Sequence, residues 1–268
     1  ANNIVLVESG KQYKVLTLTD CFEYDEQTYN YYGSYSFTGT KIEQAVVTAI
    51  LNVTTDDKVV VDMIKGNNEQ DYSSLKTLLE NNAYQVNEVS LATGDFDSNA
   101  KIAIMYAPSV DLDEKIVEKL STWLSNDGKY GRSLIYVPTA DMGEMPNLDD
   151  FLKEWGMSID RGYVFETDES TLVSASSPYA FTVSYGDYYK DNLKNSKIPV
   201  VVSESHAVNI TDENTAHALL KTSDKAGVLP IDADKNWDYK DAVSGNGENV
   251  AAEGVTVSYT HLRAHETR

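Results

Sequence analysis

The sequence predicts an α/β protein: a Rossmann-like or flavodoxin-like parallel sheet with helices on both faces, plus a β-rich flanking part. Three observations lead there. Residues 58–63 (KVVVDM) and 102–107 are short apolar or β-branched runs, the pattern of strands buried on both faces. Between the second run and a third, residues 133–137, Leu112, Ile116, Val117, Leu120, Trp123 and Leu124 recur at helical spacing. A strand, helix, strand rhythm of this kind is a βαβ unit, and such units build parallel sheets covered by helices.

The elements follow in order. Residues 4–8 and 13–19 read as two strands separated by a tight turn at Ser9-Gly10-Lys11. Tyr24, Tyr29, Tyr31, Tyr32 and Tyr35 then crowd one passage, expected to be a surface hairpin or loop. Tyrosine joins a flat apolar face to a polar tip, which suits glycan or partner binding, with Tyr31 and Tyr32 as candidates. Thr40-Lys-Ile-Glu43 matches a capping box, followed by an apolar helical face of Ile42, Ala45, Val46, Ala49, Ile50 and Val53. The strand at 58–63 gives way to a loop with Gly66, Asn67, Asn68 and Glu69, at the carboxyl edge where open α/β sheets usually bind ligands. Leu75, Leu78 and Leu79 mark a helix, and residues 84–91 a strand nearer an edge. Asp111 to Glu114 reads as an acidic helix start and Gly128 as a left-handed stop. A further helix begins near Asn147, and residues 162–166 form a short strand. From about Thr167, β-like runs appear at 179–185, 198–203 and 218–221. The division expected is 1–38 (strands and a Tyr-rich hairpin, packing with the C-terminal part), 39–166 (α/β domain) and 167–257 (β-rich and incomplete). Residues 258–268 have the composition of a translated sequencing adapter and are set aside with His261 and His265 as an artefact of metagenomic assembly. The chain starts at Ala1 without Met, so it reads as a truncated segment of a longer protein.

Composition narrows the function. A net charge of −20 and a pI near 4.4 oppose nucleic-acid binding, which depends on Lys and Arg, and adhesion to anionic lipid. One cysteine leaves no disulfide framework and no Cys-based metal cluster.

Each catalytic constellation then fails on its residues. The IKGNNEQ loop has one glycine where a dinucleotide site needs three, and no phosphate loop is present. Cys21 lies outside the βαβ region, at the end of an N-terminal strand, and is expected to be a buried or semi-buried structural thiol. Ser109 follows Pro108 without the flanking glycines of a nucleophile elbow. His206 and His217 stand eleven residues apart, without further ligands of zinc-site spacing. No catalytic residue, metal ligand or cofactor is expected.

The run from Ala107 to Glu166 resembles the extracytoplasmic region of GldG-type proteins, auxiliary components of ABC transporters first associated with gliding motility. The resemblance rests on Ala107-Pro108, Asp111 to Glu114, Trp123-Leu124 with Gly128, the strand at 134–137, Met145-Pro146-Asn147-Leu148 through Leu152 and Gly156, and Gly162-Tyr163-Val164. It reaches back to Gln44-Ala45 and forward to Leu219-Leu-Lys-Thr-Ser-Asp224, covering most of residues 1 to about 230. It implies a glutamine-amidotransferase-like domain without catalytic residues, anchored to the bacterial membrane by helices absent from this chain. Partners would be permease and ATPase subunits, or a surface glycan. Family members carry Thr/Ser-Gly-His-Gly-Glu after the strand at 59–63. Here Gly66 and Glu69 remain, and the histidine does not.

Overall fold

The computed structural model describes residues 4–138, 142–191, 193, 195, 197–234 and 252–257. Two compact units emerge, the first Ala1–Gly66, Gln70–Tyr106 and Gly131–Tyr136, the second Asn67–Glu69, Ala107–Tyr130 and Val137–Arg268.

The first unit opens with an antiparallel hairpin, β1 (Val5–Ser9) and β2 (Gln12–Leu16), turned at Gly10 with φ of 60°. The second strand stops short of its expected end. Thr17 donates its amide to Asp20 Oδ2 at 2.7 Å, which winds Leu18–Cys21 into a short helix, α1. Cys21 is buried, as expected, but on this helix. β3 (Phe22–Tyr24) and β4 (Phe37–Thr40) form a second hairpin. The tyrosine passage between them is helical rather than hairpin or loop: α2 (Glu26–Tyr32) is capped by Asp25, which accepts from Gln27 N at 3.0 Å and Thr28 N at 3.3 Å. Bonds donated by Thr28 hold the Asp25 carboxyl below its usual range.

α3 (Ile42–Thr54) packs on the first hairpin through Ala45, Val46 and Ala49, against Val7, Leu16 and Cys21. The expected capping box does not form. Lys41 is the N-cap, and Thr40 Oγ1 only accepts Ile42 N at 3.5 Å. Ala45, Val46, Ala49 and Val53 of the expected face turn inward. Ile42 and Ile50 are left exposed.

β5 (Val60–Ile64), α4 (Ser73–Asn81), β6 (Gln85–Val89), β7 (Ala100–Tyr106) and β8 (Ser133–Val137) complete this unit. The sheet order is β6-β5-β7-β8, with β5 parallel to both β6 and β7. Every residue of β5 is buried, as its β-branched run requires. Val61, Met63 and Ile104 form one core face, covered by Leu75 and Leu79 of α4.

The second unit holds α5 (Glu114–Ser125) and α6 (Pro146–Glu154), each with an inward apolar stripe, Ile116, Leu120 and Trp123 on α5 and Leu148, Phe151 and Leu152 on α6. The N-cap of α5 is Asp113, not Asp111. The Asp111 carboxylate instead accepts Asn147 N at 3.0 Å and Leu148 N at 3.1 Å, capping α6 from 36 residues away. α5 ends at Asn126 in the left-handed region, before Gly128, and a short 3₁₀ turn follows.

The β-rich part contains β9 (Met157–Ile159), β10 (Tyr163–Phe165), β11 (Leu172–Ser174), β12 (Ser177–Tyr185), α7 (Asp187–Lys190), β13 (Val200–Ser203), β14 (Val208–Ile210), β15 (Ala216–Lys221), β16 (Gly227–Leu229) and β17 (Ala252–Val257). Most join one antiparallel sheet of order β11-β12-β15-β17-β14-β9, with β13 beside β12, while β10 pairs β16. Val164, Phe181 and Ala207 form its core with Leu172, Val183 and Val202 around them. The chain is thus mixed α/β, a parallel sheet accompanied by antiparallel ones. The tail at 258–268, with His261 and His265, and the Asn- and Asp-rich stretch 235–251 lie outside the described residues.

Candidate functional site

The loop after β5 is divided between the two units. In the first, Gly66 adopts φ of 117°, and a Cβ there would stand 3.2 Å from Ser90 Oγ, so a side chain would be strained. Beside it, Lys65 and Lys76 each place Nζ 3.0 Å from the Glu88 carboxylate. The bond from Lys76 is the main cause that holds Glu88 below the ordinary glutamate range.

In the second unit, Asn67 is buried and spends its polar groups on the chain. Its side-chain amide donates to Asp111 O at 3.0 Å and Val110 O at 3.4 Å, and its carbonyl accepts Ser109 N and Val110 N, each at 3.1 Å. Its backbone N–H donates to Glu69 at 3.0 Å. Asn68, exposed and at φ of 56°, donates its side-chain amide to Ser109 Oγ, and that hydroxyl donates back to Asn68 O at 3.0 Å. Asn67, Asn68 and Glu69 therefore cluster with Ser109 and Asp111 in a hydrogen-bonded staple. Its chemistry is conformational: the Ser109 hydroxyl is committed to backbone, not to a base.

Tyr31 and Tyr32 stand in a separate place, on α2. They are 82% and 73% exposed, with ring centroids 4.9 Å apart. Tyr24, Tyr29, Tyr35 and Phe37 form a neighbouring aromatic array on the same β3–α2–β4 segment. Tyr29 stacks on Tyr35 at 4.6 Å, and Tyr24 meets Tyr35 edge-on at 5.1 Å. The interaction with Tyr29 raises the Tyr35 phenol above its ordinary value. Such rings present stacking faces and hydroxyls together, the chemistry that recognises sugar rings or a partner's apolar side chains.

Two buried carboxylates escaped the sequence reading. Asp62, at the centre of β5, has no exposure; it accepts Asp97 N at 2.7 Å and Asn87 Nδ2 at 3.1 Å. The signal was visible as the one acid inside a β-branched run. Glu166, 1% exposed, accepts the amides of Thr167 and Asp168 at 2.8 Å and of Ser223 at 3.3 Å. Both satisfy backbone or amide donors, a structural use. His206 is buried, with Nδ1 2.8 Å from Gly162 O and its ring stacked on Tyr163. His217 stacks on Tyr188 at 4.3 Å. Among the described residues no three His, Cys, Asp or Glu side chains group to hold a metal ion, and no helix is long and apolar enough to cross a membrane.

No family model matches the sequence, and no curated protein matches it. Among solved structures, the chain is similar to the mmIFT52 N-terminal domain, at 14% identity over 62% of this chain and 74% of that one, with a TM-score of 0.48.

Proposed function

We propose that this chain is a non-enzymatic, extracytoplasmic domain of a bacterial, membrane-anchored ABC-transporter auxiliary component of the GldG type. In this reading the parallel sheet belongs to a Rossmann-like, glutamine-amidotransferase-like fold with helices on both faces, used as a scaffold for contacts with permease and ATPase subunits. The observation that supports it is the exposed aromatic array of β3–α2–β4, whose rings are available to a partner. The order of motifs from Ala107 to Gly162 supports the family assignment. The test is expression of the full-length gene in its host with an affinity tag. Membrane localisation and co-purification of a neighbouring ATPase and permease are expected. A protein found only in the soluble cytoplasmic fraction, with neither subunit, would refute the proposal.

A second reading, a carbohydrate- or peptidoglycan-binding module, draws on the stacked Tyr29 and Tyr35 rings beside Tyr31 and Tyr32. A glycan array probed with the wild type and with the Tyr31→Ala/Tyr32→Ala variant separates the two. Signal lost in the variant favours the module, and a blank array for the wild type eliminates it.

A further inference from the structure

A cleft of about 470 Å³ opens in the first unit, among β2, α3, α4 and the start of β6. Lys58 precedes β5 and Gln85 begins β6, so the cleft lies at the amino edge of the parallel strands, opposite the edge that carries Gly66. Its volume falls within the ordinary range of small-molecule sites. Tyr13, Lys14, Lys58, Tyr84 and Gln85 line it, over a floor that includes Asn52.

Neither Lys14 nor Lys58 forms an ion pair among the described residues. Lys14 sits on the hairpin face that carries Val7 and Leu16, pairing with Val7 across the strands, and is half-buried there. Lys58, also half-buried, donates to Asn52 Oδ1 at 3.1 Å. Asn52 is itself fixed, since its amide donates to Thr48 O at 3.1 Å and Asn81 O at 2.9 Å. A neutral, immobilised side chain thus positions the ammonium without cancelling its charge. Glu80 also borders the cleft, and Lys76, one turn earlier on α4, is paired with Glu88. Gln12, also in the lining, donates to Asp56 at 3.4 Å.

We propose that this cleft binds a hydroxylated small molecule bearing one carboxylate or phosphate. Lys14 and Lys58 take the anionic group as charge-assisted donors. The Gln85 amide and the Tyr84 hydroxyl meet the neutral hydroxyls, and the Tyr84 ring supplies an apolar wall. The site is independent of the transporter reading and of the tyrosines on α2, so either could fail alone.

The test is calorimetric titration of the whole chain with glucuronate, glucose 6-phosphate and glucose. One or both anions should bind while glucose does not, and their relative affinities assign the carboxylate or the phosphate as the preferred group. Lys58→Gln and Lys14→Gln should each weaken binding by about tenfold, and Lys58→Arg should retain it. Unfolding midpoints that match the wild type show that the variants are folded. Failure of both anions to bind at millimolar concentration, or equal binding by the Lys14→Gln/Lys58→Gln double variant, overturns the proposal.

Discussion

The N-terminal hairpins and the β-rich segment are built alike, from short antiparallel strands interrupted by small helices, yet they place their apolar side chains oppositely. In the first, Tyr31, Tyr32, Tyr13 and Leu6 are 82%, 73%, 69% and 56% exposed. In the second, Val164, Phe165 and Phe181 have no exposure at all. The register of β1 and β2 shows why. Leu6 pairs with Val15 and Glu8 with Tyr13 on one face, while α3 occupies the other face, against Val7 and Leu16. A two-stranded ribbon with one helix beneath it buries one face only, and its outer side chains stay on the surface. Phe181 lies on β12, which is flanked by β11, β13 and β15, and its side chain packs among Val164, Ala207 and their apolar neighbours. Apolar content alone therefore separates an exposed surface from a core poorly; what matters is whether a further layer covers it.

Truncation is the strongest way to break this contrast. Phe181→Ala should lower stability by about 3–5 kcal/mol in denaturant unfolding followed by near-ultraviolet circular dichroism. The Tyr31→Ala/Tyr32→Ala variant should stay within about 0.5 kcal/mol of the wild type. Equal losses would mean the exposed tyrosines are also core. Asp62→Ala comes next. It leaves the Asp97 amide without its acceptor in a buried strand and takes the nearer of two acceptors from the Asn87 side chain, at a cost of about 1–3 kcal/mol. Thermal unfolding measures it, and an unchanged midpoint would deny the carboxylate its structural role. Asp111→Ala should cost about 1 kcal/mol through loss of the α6 cap, with faster amide exchange at Asn147 and Leu148. The smallest effect is in acid. Asp168 is held down to about 2 from a usual 3.8, first by bonds from Ser170 and then by Lys225. Its contribution is complete above about pH 4 and lost as pH falls through about 2. Asp168→Asn should flatten the stability profile across that window alone.

Legibility in the sequence followed locality. The strand at 133–137 was read to the residue, and β5 within two, because their apolar runs are bounded by turn chemistry. Asp111 was misassigned because its real partner, the first turn of α6, is 36 residues away. The buried stripe of α3 was legible at Ala45, Val46, Ala49 and Val53 but not at Ile42 and Ile50, because periodicity marks which residues are apolar and not how far the covering layer reaches. The Gly66 loop was found at the expected edge of the sheet. Its inward-turned Asn67 was not foreseen, since an asparagine's partners are set by tertiary contact. The amino-edge cleft left no linear trace: Lys14, Asn52, Lys58 and Tyr84 come from four separate segments.

The buried carboxylate of β5 also makes a clock. Asp97 reaches Asp62 from the connection between β6 and β7, and its N–H is held by a carboxylate with no solvent exposure. That proton can exchange with solvent only when the connection lifts from the sheet or the sheet itself opens. Deuterium uptake at Asp97, set beside uptake at Val61 and Met63, would therefore time the release of a single crossover against the unfolding of the central strand.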